Sequence, residues 1–190
     1  MDVCNNRNVN FNGIHIKNTN VLKRVAKEVN EYVPTEAHIV EMDYNNPKDK
    51  KAVDDLFKYW QGAEFIPMIA SYTTSPTRRV YAITRQANDF ENMDSSKIMG
   101  MVDYKINGNS ANVSFLQADP KYLDENPRSV KGIGKSLMQG TVEHLKEAHG
   151  CTEMKGFARP TEKPFYRKIF PNLVEKPSTQ DDYTNMSVEL

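Results

Sequence analysis

Lys131-Gly132-Ile133-Gly134-Lys135-Ser136-Leu137 is the stretch on which the reading of this chain turns. Two glycines one residue apart open an amphipathic helix, and a lysine flanks each side. Glycine accepts φ > 0 and lets a bulky group sit against bare peptide. The first turn of the helix then aims unpaired N–H groups, and the positive end of its dipole, at that group. The combination suits an anion such as a pyrophosphate. With no ligand, the same residues make a tight helix-entry turn.

Working outward, Leu137, Met138, Val142 and Leu145 share one side of a helix expected from Gly134 to about Ala148. A strand over Thr152–Ala158 and a short helix over Glu162–Phe170 follow. Two short strands, near Leu173–Glu175 and Met186–Glu189, come last. Before the loop, Ile98–Ile106 and Ala111–Gln117 read as strands joined at Asn107-Gly108, a strong hairpin signal. Asp119-Pro120 stops the second strand, and a polar loop runs from Lys121 to Lys131. Val80–Thr84 and His38–Met42 read as strands. Asn46-Pro47 opens a helix that carries Val53, Leu56, Phe57 and Trp60 and ends at Gly62. Apolar spacing predicts one more helix over Asn20–Val29. Residues 1–12 are Asn-rich and polar. The layout is mixed α/β (α+β), with helices packed on a mostly antiparallel, twisted sheet.

The chain has 190 residues, with 25 Lys plus Arg against 25 Asp plus Glu. That length suits one domain with a short extension. The even charge gives no global field to attract nucleic acid. Two cysteines, Cys4 and Cys151, lie far apart and read as reduced thiols. No apolar run of about 18 residues occurs, so no membrane span is expected. The first residues are polar, unlike a secretory signal. A cytoplasmic protein is expected. No His/Cys cluster has zinc spacing, so no metal is expected.

Three nucleotide-loop types compete for the glycines. A Rossmann loop needs a third glycine where Leu137 stands. A P-loop needs G-x-x-x-x-G-K-[S/T] after a buried strand. Ser129–Ser136 satisfies only the second half, and Leu123–Arg128 is no buried strand. The third type is a coenzyme A loop. With Gly132 and Gly134 as its glycines, the stretch resembles motif A of the GNAT superfamily of acyltransferases. Ser129 stands where the family has Arg or Gln, and Arg128 is one residue away.

The resemblance extends along the chain. Ala118-Asp119-Pro120-Lys121-Tyr122 is similar to the Val-x-Pro-x-Tyr that precedes the family's loop, with Leu123–Arg128 inserted. Phe165-Tyr166-Arg167-Lys168-Ile169-Phe170-Pro171 resembles the Phe/Leu-Tyr-x-Lys-x-Gly-Phe of its short helix, with Phe170-Pro171 in place of Gly-Phe. Arg159 and Glu162 replace the usual Asn and Ala. The match spans about Ile98 to Leu190, and more loosely from His38. Residues 1–35 read as an extension (polar tail plus helix), and 36–190 as the GNAT domain.

The resemblance implies a GNAT fold and an N-acetyltransferase that moves an acetyl group from acetyl-coenzyme A to an amine by direct attack in a ternary complex. It implies that Leu116, Gln117 and Ala118 pair with the pantetheine arm at a splayed strand. Lys131, Gly132, Ile133, Gly134, Lys135 and Ser136 would hold the pyrophosphate, with Phe165 nearby. Tyr166 would be the general acid for the departing thiolate, although the same ring also suits core packing. Asp103, Asp119 and Glu125 are candidate bases by location, although each also reads as a solvated surface charge. The acceptor, a small molecule or a protein amine, stays open. Pairing of two copies through the edge offered by Met186–Leu190 would give a homodimer. A GNAT-like protein that binds coenzyme A or a partner without turnover is the alternative reading, and a P-loop phosphotransferase a distant third.

Overall fold

Val80–Thr84 is buried on both faces, so helices must cover both sides of the strand that holds it. The computed structural model describes residues 13–190 except 44, 61, 62, 64, 73–75 and 181. The polar tail with Cys4, and Gly62 itself, lie outside the described residues; the helix expected to reach Gly62 ends at Leu56, capped by Phe57, so Trp60 follows it rather than lying on it.

Nine described strands form one sheet in the order β6-β1-β2-β3-β4-β5-β7-β9-β8. They are β1 (Ile14–Arg24), β2 (Tyr32–Met42), β3 (Arg78–Thr84), β4 (Ile98–Asn107), β5 (Ser110–Ala118), β6 (Val130–Lys131), β7 (Glu153–Ala158), β8 (Val174–Pro177) and β9 (Thr184–Glu189). Every pairing is antiparallel except β5 with β7. The expected β4–β5 hairpin forms, with Asn107 opposite Ser110 and Gly108 at φ 59°.

On one face lies the 17-residue helix that follows the glycines, Ile133–His149, with the short helix Lys163–Ile169. Leu137, Met138 and Leu145 pack there against Ile39, Tyr81, Ile83 and Val102. Thr141 ties that helix down, its hydroxyl 2.8 Å from the buried Tyr104 hydroxyl. Pro47–Leu56 and Ile66–Tyr72 belong to the second core, on the other face, where Val53, Leu56, Trp60 and Ile69 meet Val40, Ala82 and Met101. With Pro120–Asp124 counted in chain order, these helices are α1 (47–56), α2 (66–72), α3 (120–124), α4 (133–149) and α5 (163–169).

Two sequence expectations are corrected. Residues 20–29 are not a helix. Asn20–Arg24 finish β1, which pairs along its length with β2. Val21 is buried while Leu22, Val25 and Val29 are exposed, so the helical spacing of these apolar residues is not used. Long-range pairing with the core strand β2 outweighs a weak local pattern whose apolar positions are mostly β-branched valines. Nor is Met186–Leu190 a free edge. β9 is paired on both sides, with β7 and β8, and the outer strand there is β8. The loop 121–131 also carries more structure than expected, namely α3 and the two-residue β6 paired to β1.

Candidate active site

β5 and β7 run parallel for three residue pairs, Ser110–Glu153 to Asn112–Lys155, and then part. Both continue beyond that, β5 to Ala118 and β7 to Ala158. At the parting, the register of β5 on β4 shifts between Asp103 and Tyr104, so Ser114 bulges. Beyond it, Leu116, Gln117 and Ala118 keep their pairing with β4 while β7 no longer covers them. An opening therefore lies between two strands of one sheet, lined on one side by unpaired β5 backbone.

The glycine loop enters α4 as its chemistry requires. Gly132 is the helix N-cap at φ 84°, with no capping side chain, and a Cβ there would meet nothing within 4 Å. Gly134 is different. A Cβ on it would stand 3.1 Å from the Phe165 ring and 4.0 Å from Leu116. The second glycine thus lets the α5 aromatic close on the loop helix beside β5. This brings Leu116, Gly134 and Phe165 together, and Tyr166 follows with its ring edge-on to Phe165, centroids 5.1 Å apart. Tyr166 is nearly buried. Burial, and then Glu162 one turn earlier, push its phenol up to about 12.

The remaining loop residues divide. Ile133 turns into the core under Gly100. Ser136 spends its hydroxyl on the Asn20 carbonyl at 2.6 Å, and Lys131 places its ammonium 3.8 Å from the centre of the Tyr32 ring. Both contacts tie the loop to the β1–β2 hairpin; the first-turn N–H groups of α4 and the exposed Lys135 take no part in them. A cavity of about 780 Å³ opens on the hairpin side, where Lys23, Arg24, Lys27 and Arg85 meet Tyr122 and Ser129.

The candidate bases are engaged elsewhere. Asp103 is fully buried in an ion pair with Arg78, beside Ser114. Burial raises its carboxyl, and Arg78 pulls against that. Asp119 caps α3 through the Lys121 amide and pairs with the Lys121 ammonium. Glu125 is exposed and accepts from the Ser129 amide. Trp60 is a core residue, while Phe57 and Tyr59 are exposed. Cys151 is a buried free thiol, raised by that burial. His15 and His38, which share no sequence pattern, come within 3.4 Å, with Phe90 stacked on His15. Glu41, His144 and His149 also converge. Sequence spacing misses this group because Glu41 comes from another part of the chain.

The decisive feature for the fold is the order of elements around the parted strands: hairpin, glycine loop, α4, β7, α5. The chain has the GNAT fold. Solved structures sharing it include the ribosomal-protein-S18-alanine N-acetyltransferase of Escherichia coli, at 15% identity and a TM-score of 0.56, covering 80% of this chain and 93% of that one. The GNAT domain of Streptomyces lividans PAT matches at 13% and 0.56, covering 82% and 92%. The N-acetyltransferase PseH of Campylobacter jejuni, in complex with acetyl coenzyme A, matches at 13% and 0.53, covering 80% and 98%. No family model and no curated protein sequence matches this chain. For this GNAT-fold chain, the P-loop reading lacks its buried strand, since the glycines follow only the two-residue β6. No helix among the described residues is long and apolar enough to cross a membrane.

Proposed function

We propose that the chain is an acetyl-coenzyme A-dependent N-acetyltransferase for an amine acceptor. The observation that carries this reading is the opening between β5 and β7, with Gly132 and Gly134 at one side and Phe165–Tyr166 packed against it. The residues fit the co-substrate. The β5 backbone of Leu116–Ala118 offers hydrogen bonds to an amide-bearing arm, as a sheet edge does to a peptide. The first-turn amides of α4 would hold the pyrophosphate, in the open space beside Gly132.

The acceptor amine attacks the thioester carbon, a C–N bond forms, and the C–S bond breaks as the tetrahedral intermediate collapses. Tyr166 is the group assigned to the departing sulfur. Its raised phenol holds its proton through the neutral range and donates a hydrogen bond to the developing thiolate. Asp103 is assigned to structure, because its ion pair with Arg78 keeps it from the solvent that would carry a proton away. The amine's proton is therefore assigned to water.

Residues 36–190 are read as the transferase unit, and β1 as a strand that the preceding extension adds to its sheet. A homodimer would use the outer strand β8 rather than Met186–Leu190.

Titration with acetyl-coenzyme A and with ATP, by calorimetry or thermal shift, tests the reading. Acetyl-coenzyme A is expected to bind and stabilise the chain, and ATP is not. Release of free thiol over a panel of amines then tests turnover. Binding without thiol release on any amine would favour a protein that holds coenzyme A without chemistry, a reading the replaced residues Ser129 and Arg159 favour.

A further inference from the structure

At the far end of α4 from the glycines, a second cluster serves none of the roles above. Glu41 on β2 turns its Oε2 toward the helix. His144 Nε2 stands 3.1 Å from that oxygen and His149 Nε2 3.8 Å from it. All three donor atoms lie within 4.8 Å of one another. The two imidazoles are nearly perpendicular, with centroids 5.4 Å apart. The contact of Glu41 with His144 is an ordinary hydrogen bond. His149 is not satisfied in that way. Its Nε2 is buried and has no hydrogen-bond partner, a state that folded proteins rarely tolerate without a ligand, ion or water to fill it.

We propose that Glu41, His144 and His149 bind a divalent transition-metal cation, zinc foremost, with water as fourth ligand. Zinc holds nitrogen and oxygen ligands at about 2.0–2.2 Å in a tetrahedron, which sets the donors about 3.3–3.6 Å apart. The observed separations, 3.1 Å and 3.8 Å from Glu41 with none of the three above 4.8 Å, bracket that spacing. Two imidazoles and a carboxylate with one open position are a known zinc donor set. Each side chain is about one-fifth exposed, at 17%, 22% and 19%, so an ion and its water can enter. The carbonyl end of α4 adds the negative end of a helix dipole. Among the described residues, Arg79 also pairs with Glu41. It lies 3.4 Å from the other carboxylate oxygen, Oε1, where it orients Glu41 and leaves Oε2 to the metal. The bound ion would pin the end of α4 to β2, joining residues about a hundred apart in sequence.

The test uses the untagged full chain, stripped with a chelator and titrated with Zn²⁺ by calorimetry and thermal unfolding. One equivalent is expected to bind and raise the melting temperature. Glu41→Gln and His149→Ala should each weaken binding tenfold or more. His38→Ala, which breaks the other imidazole pair, should leave it unchanged. If a variant fails to fold, Co²⁺ in the parent protein answers instead: d–d bands of a four-coordinate site, without thiolate charge transfer, are expected. The proposal is overturned by absence of stoichiometric binding, by binding that survives both substitutions, by loss in His38→Ala alone, or by a thiolate band that places the ion on a cysteine.

Discussion

Tyr166 is protonated at neutral pH with room to spare, because burial and Glu162 both disfavour the phenolate. Tyr166→Phe removes one oxygen and keeps the ring that meets Phe165. General acid catalysis contributes ~10²–10⁴-fold, so kcat should fall within that range while coenzyme A affinity holds. Equal loss of rate and affinity would make Tyr166 a packing residue. Because the phenol does not titrate near neutrality, the parent's rate should show no loss from Tyr166 ionisation below pH ~10. Asp49 gives a second residue-scale test. It sits buried at the start of α1, accepting from the Asp43 amide, and burial pushes its carboxyl up to about 6. An acid raised in the folded state binds its proton more tightly there than when unfolded. Its contribution is therefore present below the ordinary carboxylate value and lost as pH climbs to about 6. The stability of the parent relative to Asp49→Asn should fall by about 2 kcal/mol between pH ~4 and ~7. Urea unfolding of both proteins at the two pH values measures this, and a flat difference would mean that Asp49 titrates normally.

Among the elements, α4 is set by how closely it approaches β2. A Cβ at Gly140 would lie 2.2 Å from Ile39 Cδ1 and 3.3 Å from Lys17 Cδ, so the fully buried Ile39 side chain must shift to admit it. Gly140→Ala gains about 1 kcal/mol of helix propensity but overpacks a contact at a cost of about 1–3 kcal/mol. A net loss of about 1 kcal/mol is expected, read as a lower urea midpoint at unchanged slope. Gly134 makes the same point from the other end of the helix. Any side chain there must first displace Phe165. Gly134→Val should therefore weaken coenzyme A binding tenfold or more, ~1.4 kcal/mol, while the variant stays folded. A folded variant that binds like the parent would remove the loop from the coenzyme site. At this scale the sequence was legible wherever one local signal governs an element. Asn107-Gly108 made a hairpin, Pro47 opened a helix, and the apolar side of α4 faced the core.

Across the whole molecule, the sheet ends in two short outer strands, β6 with two residues and β8 with four. β8 includes Pro177, which lacks an N–H, and Glu175, held by Arg167 and Lys163. Both features blunt an edge. If β8 nonetheless pairs two copies, sedimentation at micromolar concentration should give twice the 21.7 kDa of one chain. Lys176→Pro, on that same strand, should then return the single-chain value. A parent that sediments only at 21.7 kDa rejects the dimer.

By itself the sequence determined the parts that depend on near neighbours: the glycine entry to α4, the β4–β5 turn, the order of α4, β7, α5, β8 and β9 after the glycines, and the Phe165-Tyr166 pair on its short helix. Each follows from backbone freedom, capping or periodicity within about a turn or two, which the chain carries locally. Tertiary structure alone decided the rest. It made residues 20–24 a strand by supplying β2 as a partner. It gave the Ser136 hydroxyl to the Asn20 carbonyl and turned Gly134 toward Phe165. It also placed Glu41 beside His144 and His149. These contacts join residues tens to more than a hundred positions apart. Their free energy comes from burial and pairing that exist only once the sheet has closed, so no local pattern records them.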